Sequence, residues 1–120
     1  MKAKTLDSSP WEAMESLEAA ITICDADLRL ISMNGKALAS FGMAGGEAPT
    51  GMDLRECHKE QSVATMEDIL RTGVPNVYTI KKKGLRKMIW QAPWTKEGNI
   101  AGLVEISFIL PLDIPHFDRD

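Results

Sequence analysis

Apolar residues gather in five runs along the chain, two short ones near the start and three longer ones near the end. The first two, residues 20–24 and 28–33, are β-prone and flank Asp25-Ala26-Asp27, a sequence typical of turns. The other three runs lie at residues 76–82, 85–94 and 100–110. Lys83-Gly84 and the stretch from Lys96 to Asn99 separate them, which predicts a meander of three strands.

Helix signals occupy the segments between and before these runs. Ser9-Pro10-Trp11-Glu12 combines a capping residue, a proline at the first helical position and a glutamate three residues after the cap, so a helix should begin at Ser9 or Pro10. A short helix is predicted from Asn34 to Phe41, and a longer one ends at Gly73. One side of the longer helix carries Val63, Met66, Ile69 and Leu70.

The first helix has a narrow apolar stripe made of Ala13, Met14 and Leu17, with Trp11 at its edge. An apolar helical face needs a partner, and two partners are equally compatible with the pattern. The stripe either covers the chain's own sheet or pairs with a second copy of the chain.

Composition and charge narrow the class of protein. A chain of 120 residues with 44% hydrophobic residues forms one domain with one core. A net charge of −3 and a pI near 5.4 favour neither nucleic acid nor an anionic membrane as a partner. The longest apolar run, Ile100 to Leu112, is short for a membrane span and contains Glu105, so we expect no membrane-spanning segment. Cys24 and Cys57 are expected to be reduced thiols in a cytoplasmic protein.

The chain resembles a PAS domain, the ligand-sensing and dimerising module of many bacterial signalling proteins. The resemblance rests on the order of motifs over nearly the whole chain. These are the Asp25/Asp27 turn, Asn34 followed by Ala37 and Leu38, Phe41-Gly42, Gly51 with Leu54, Thr72-Gly73, and Gly98 with Gly102. It implies an α+β fold with an antiparallel five-stranded sheet, short helices on one face and an N-terminal flanking helix. Residues 1–19 would be that flank, 20–110 the sensor domain and 111–120 a frayed tail.

The resemblance places a ligand site between the sheet and the helices, and Cys57-His58 is the one pair of adjacent metal-ligand residues there. In haem-binding PAS domains a histidine in this region binds the iron, which makes His58 the candidate ligand. Met88 or Met66 would be the opposite axial ligand. The plainer interpretations are that His58 is a capping or surface residue and that Met66 belongs to the core.

Strand alternation puts Met88, Trp90 and Ala92 on one face, where Met88 and Trp90 would either line the cofactor site or fill the core. Pro93 predicts a bulge or an edge position in the same strand. A flavin cofactor is not expected, because Leu54 stands where the reactive cysteine of flavin-binding relatives would fall. Cys57 could be redox-active at a helix N-terminus, although an inert thiol is the simpler interpretation.

One basic cluster, made of Lys81, Lys82, Lys83, Arg86 and Lys87, lies at the tip of a predicted hairpin. Such a cluster is typical of a solvated turn that discourages edge pairing, and nucleic-acid binding is the minor alternative because few aromatic residues are interleaved with it. His58 and His116 are the only imidazoles, and no arrangement typical of catalysis is visible. We therefore expect no enzyme activity.

Two functions fit these observations. The first is a sensor that binds a small ligand or a haem cofactor and signals through dimer or partner contacts. The second is a cofactor-free interaction module whose core is filled by its own side chains. In either case, the signal is expected to leave through the N-terminal helix, the sheet face or a separate protein.

Overall fold

In the computed structural model, which describes residues 9–120, five antiparallel strands form one sheet with short helices on one face. The strands are β1 (Ala20–Asp25), β2 (Leu30–Met33), β3 (Asn76–Lys82), β4 (Leu85–Lys96) and β5 (Asn99–Ile109). Their order across the sheet is β2-β1-β5-β4-β3. The helices are α1 (Pro10–Glu15), α2 (Gly35–Ser40), a one-turn 3₁₀ helix (Leu54–Glu56) and α3 (Glu60–Thr72).

Two tight hairpin turns connect the three long strands. Lys83 and Gly84 have φ angles of 53° and 78°, and Glu97 and Gly98 have φ angles of 53° and 80°. Positive φ at both central residues is the geometry that matches the twist of antiparallel strands, and glycine adopts it without strain. Both predicted turns are thus confirmed, and β4 extends two residues beyond the predicted end at Trp94.

The turn between β1 and β2 is longer than the sequence indicates. The Asp25 carboxylate accepts hydrogen bonds from the backbone N–H groups of Asp27 and Arg29, both at 2.9 Å. Leu28 adopts φ 59° and is completely buried. The prediction that the second strand begins at Leu28 is therefore wrong. The strand begins at Leu30, because the backbone of Leu28 is turned out of extended geometry while its side chain packs in the core.

Asn34 joins three elements of the fold. Its side-chain oxygen accepts hydrogen bonds from the N–H groups of Ile21 in β1 at 2.9 Å and Ala37 in α2 at 3.0 Å. Its amide nitrogen donates to the carbonyl oxygens of Met14 in α1 and Ala19, both at 2.8 Å. All four hydrogen-bonding positions of this buried amide are used, so one side chain caps α2 and ties the N-terminal segment to the sheet.

Helix α1 begins as predicted, with Ser9 and Glu12 forming a reciprocal capping box. It ends at Glu15, so Leu17 lies beyond the helix, and none of its residues is buried. Met14 and Leu17 stay nearly half exposed, and the apolar stripe is not buried against the chain's own sheet. Residues 1–8 of the predicted flanking segment lie outside the described residues. Between residues 9 and 120, no helix is both long and apolar enough to cross a membrane.

Strand β4 is irregular near its end, where Trp94 reaches across the sheet. The indole Nε1 of Trp94 donates to the carbonyl oxygen of Cys24 at 2.9 Å, and it passes directly over Gly102. A Cβ atom at Gly102 would lie 2.7 Å from Nε1 and would collide with the Cys24 carbonyl oxygen. The pairing of β3 with β4 stops at Gln91, so Pro93 is at a local edge, and the register shifts just beyond it.

Replacement of Asn34 by alanine should lower the free energy of unfolding by roughly 2–4 kcal/mol, because two backbone donors and two acceptors lose their buried partner. Urea unfolding followed by tryptophan fluorescence measures the change. Asn99→Ala, at an exposed position at the start of β5, is the matched control and should change stability by about 0.5 kcal/mol or less. Equal losses in the two variants would contradict a central role for Asn34.

Candidate functional site

A cavity of about 260 Å³ lies between the sheet and the helices. On the helical side it is lined by Ala37, Ser40, Phe41, Leu54, His58 and Met66. On the sheet side it is lined by Ala20, Thr22, Cys24, Met33, Lys87, Ile89, Gln91, Leu103, Val104, Glu105 and Ser107. The arrangement of an apolar interior with a few converging polar groups is typical of small-molecule sites.

The sheet wall of the cavity is built from alternate residues of β4 and β5. Lys87, Ile89 and Gln91 of β4 point to the cavity, and Ile89 and Gln91 pair across the ladder with Ser107 and Glu105. Met88 and Trp90 are therefore on the opposite face of the sheet, because successive side chains of a strand alternate. Met88 and Trp90, predicted beside a cofactor, therefore do not line this cavity, and Trp90 is 40% exposed on the outer face.

Three polar side chains form a ladder across the inner face of β3, β4 and β5. The Asn76 amide donates to Oε1 of Gln91 at 2.9 Å, and the Gln91 amide donates to Oε1 of Glu105 at 2.8 Å. These bonds orient each group, so the Glu105 carboxylate is held at a defined point of the cavity wall. Burial raises the pKa of the Tyr78 hydroxyl, and the negative charge of Glu105 raises that pKa further.

His58 lies at the helical edge of the cavity, just before α3. Its Nδ1 is 2.8 Å from the carbonyl oxygen of Leu54 and 3.2 Å from the Cys57 sulfur. When Nδ1 carries the proton and donates it to the carbonyl, Nε2 is left as a free acceptor or ligand atom. His58 and Met66 both line the cavity, whereas Cys57 does not.

The cavity does not fit an iron porphyrin with the predicted axial pair. His58 and Met66 belong to the same helical wall, so they cannot bind opposite faces of one macrocycle, and Met88 is on the far side of the sheet. A volume of about 260 Å³ is also below the roughly 300–1,000 Å³ of typical small-molecule sites, and a porphyrin is a large member of that class of ligands. Between residues 9 and 120, no group of three or more acidic, histidine or cysteine side chains could hold a metal ion.

Both cysteines are free thiols, Cys24 buried and Cys57 exposed. Desolvation raises the pKa of the Cys57 thiol, and the nearby charges of Glu56 and Asp53 raise that pKa further. A thiol with a raised pKa is a poor nucleophile at neutral pH, so the environment does not match the alternative of a redox-active Cys57. Leu54, which stands where flavin-binding PAS domains would carry the reactive cysteine, is a buried core residue.

Sequence reasoning missed several polar residues of the cavity. Lys87 was assigned only to the basic hairpin, and Gln91 was not singled out. Glu105 and Ser107 lie on the face of β5 opposite Phe108, and that face is the one toward the cavity. The alternation of side chains along β4 and β5 is the signal that could identify these residues. The hydrophobicity of Met88 and Trp90 instead indicates the opposite face of β4 as the inner one.

No protein-family model matches the chain, and no curated protein matches it. Solved structures match over most of its length. A PAS domain of a protein from Colwellia psychrerythraea is 15% identical, with a TM-score of 0.64, and the match covers 83% of this chain and 92% of that one. The PAS domain of the histidine kinase ThkA is 19% identical, with a TM-score of 0.63 and coverage of 77% and 99%. A sensory box sensor histidine kinase from Vibrio cholerae is 14% identical, with a TM-score of 0.59 and coverage of 85% and 90%.

In the folded protein, Cys57 should react slowly with iodoacetamide near pH 7, and the rate should rise as the pH approaches the raised thiol pKa, because the thiolate is the reactive form. Mass spectrometry of the labelled protein measures the rate. In the control variant Cys57→Ser, labelling of the buried Cys24 should require urea. Rapid labelling of Cys57 at neutral pH with no pH dependence would contradict the raised pKa.

Proposed function

We propose that this chain, which has the PAS fold, is a sensory domain that binds a small organic ligand in the cavity between its sheet and helices. Ligand occupancy would then change its contacts with a second copy or with a signalling partner. The observation that carries the proposal is the cavity itself, an apolar space into which oriented polar groups project from two strands. The similar solved structures include domains of sensor histidine kinases, which supports a role in signal detection.

The size of the cavity favours a ligand of modest size. At about 260 Å³, it is close to the lower end of the roughly 300–1,000 Å³ that small-molecule sites occupy. An apolar ligand body would contact Met33, Leu103 and Met66, and polar ligand atoms could meet Glu105 or Ser107. A compact organic molecule satisfies this surface better than haem does.

Strands β4 and β5 connect the cavity to the outer surface of the sheet. Ser107 lines the cavity, and the next residue, Phe108, is 41% exposed on the outer face. A ligand that shifts the inner side chains of these strands therefore also shifts the outer side chains, because both project from one backbone. A ligand can change dimer or partner affinity in this way only if it binds the two states with different affinity.

A second candidate function is a cofactor-free interaction module, and the outer sheet face favours it. Val77 and Trp90 are paired across β3 and β4 and, with Phe108, are about half exposed. Exposed apolar side chains grouped on one face are characteristic of protein interaction sites. A homodimer through this face is compatible with both functions. In both, the chain would act in the cytoplasm without catalysis.

If the cavity is a ligand site, Thr22→Leu should weaken the binding of the neutral probe 1-octanol by about tenfold, because the larger side chain occupies space on the cavity wall. Isothermal titration calorimetry measures the affinity. Thr79→Leu makes the same change on the exposed outer face of β3 and should leave the affinity unchanged. Equal affinity for 1-octanol in the wild type and Thr22→Leu would contradict the proposal, as would failure of the wild-type protein to bind both 1-octanol and its charged analogues octanoate and octylamine.

If the outer face is the dimer contact, Trp90→Glu should shift the protein to a monomer in sedimentation-velocity experiments, because a charge would be buried in an apolar contact. Leu112→Glu adds the same charge at a residue that is 97% exposed in the C-terminal tail and serves as the control. The tail variant should sediment as the wild type does. A wild-type monomer, or a dimer that survives Trp90→Glu, would exclude this face.

A further inference from the structure

A second cavity of about 210 Å³ adjoins the first one beneath the hairpin of β3 and β4. Ala20, Ser40, Lys87 and Ser107 line both cavities, so the two adjoin along these residues. The wall of the first cavity is mainly apolar, whereas the wall of the second carries several lysines. Together the two cavities have an apolar interior and a basic entrance.

Four lysines, Lys36, Lys82, Lys83 and Lys87, line this entrance together with one acidic residue, Glu18. Glu18 is already paired with Lys36, at 3.3 Å. Within residues 9–120, no ion pair involves Lys82, Lys83 or Lys87. The entrance thus has an excess of positive charge that the described chain does not neutralise.

The strand register explains why the basic cluster is divided between two faces. Lys81 pairs with Arg86 and Lys82 with Leu85, so Lys81 and Arg86 point to the outer face of the sheet while Lys82 and Lys87 point toward the helices. Lys87 is half-buried, unlike the exposed lysines of the turn. Only part of the cluster is therefore a solvated turn.

Ser107 supplies a polar group at the junction of the two cavities. The residue is only 7% exposed and lines both cavities. Within residues 9–120, no buried side-chain nitrogen or oxygen lacks a hydrogen-bond partner, and no hydrogen bond from the protein reaches the Ser107 hydroxyl, so this hydroxyl is open to the cavities. A hydroxyl in this position can donate a hydrogen bond to an acidic ligand group.

The far end of the cavity limits the ligand to one negative charge. Glu105 is held on the wall there by Gln91, which lies four residues along β4 from Lys87. At about 3.3 Å per residue, Gln91 is about 13 Å from Lys87, whereas Glu105 itself is two residues, or about 7 Å, from Ser107 along β5. The carboxylate of a ligand must therefore lie on the Lys87 side of Ser107, away from Glu105. The carboxylate of Glu105 would repel a second anionic group, whereas the apolar residues between the ends favour a hydrocarbon body.

We propose that this space binds a monocarboxylic acid with an apolar body, its carboxylate between Lys87 and Ser107 and its hydrocarbon part in the central cavity. The inference rests on the proposed function and specifies the ligand class of the same site. Lys82 and Lys83 add positive charge at the entrance, where the interaction is screened by salt. The Lys87 ammonium would donate a charge-assisted hydrogen bond to the carboxylate, and the Ser107 hydroxyl would donate a second hydrogen bond. These bonds would replace the hydrogen bonds to water that the carboxylate loses on binding.

Calorimetric titration of the full chain with octanoate, 1-octanol and octylamine tests the proposal, since these probes share a hydrocarbon body and differ in charge. Octanoate should bind at least about tenfold more tightly than 1-octanol, and octylamine more weakly than either. Lys87→Gln should weaken octanoate binding by about tenfold and leave 1-octanol binding unchanged. Lys81→Gln removes the same charge from the same hairpin on the outer face and should change octanoate affinity by no more than about twofold.

Each other outcome overturns a defined part of the proposal. Equal affinity for octanoate and 1-octanol would remove the anionic ligand class and leave the ligand cavity in place. Equal losses in Lys87→Gln and Lys81→Gln would show a diffuse charge effect in place of a carboxylate site. Displacement of octanoate by inorganic phosphate at similar concentration would show that the hydrocarbon body is not recognised. Failure of all three probes to bind would overturn both the ligand class and the cavity as a ligand site.

Discussion

The buried amide of Asn34 holds the N-terminal segment, the sheet and α2 in one arrangement. It joins α1, β1 and α2 through four hydrogen bonds, and an apolar side chain of the same size could form none of them. Because α2 forms part of the helical wall of the cavity, the position of that wall relative to the sheet depends on this amide. A fully satisfied buried polar group of this kind specifies one arrangement where apolar packing alone would allow several.

Side chains of β4 and β5 alternate between the two faces of the sheet, and the two faces differ in chemistry. The inner face carries Lys87, Gln91 and Glu105 beside apolar residues, and the outer face exposes Trp90 and Phe108. The inner face therefore combines an apolar surface with a few polar groups, a distribution typical of small-molecule sites. The outer face carries exposed apolar side chains together with the charged Lys81 and Arg86.

Much of the fold could be predicted from local sequence signals, since the Lys83-Gly84 and Glu97-Gly98 turns, the Ser9 capping box and the Gly73 helix end depend on a few neighbouring residues. The cavity was predicted less well. Its approximate place between sheet and helices follows from the resemblance, but Met88 and Trp90 are on the opposite face of the sheet, because hydrophobicity does not mark the inner face of β4. Leu28 was also misassigned, since its side chain is typical of a strand while the turn requires a positive φ.

Local patterns in the sequence are sufficient to predict the element order, the two hairpin turns of the long strands and the two-residue alternation of each strand, because these depend on interactions between residues close in the chain. Packing between distant elements sets which face of β4 meets the helices and which lysines of the hairpin line the cavities. Packing also brings Trp94 across Gly102 to Cys24, two residues about 70 positions apart. Alternation within a strand is a local property, whereas the choice between the two faces of the strand depends on contacts with elements far away in the chain.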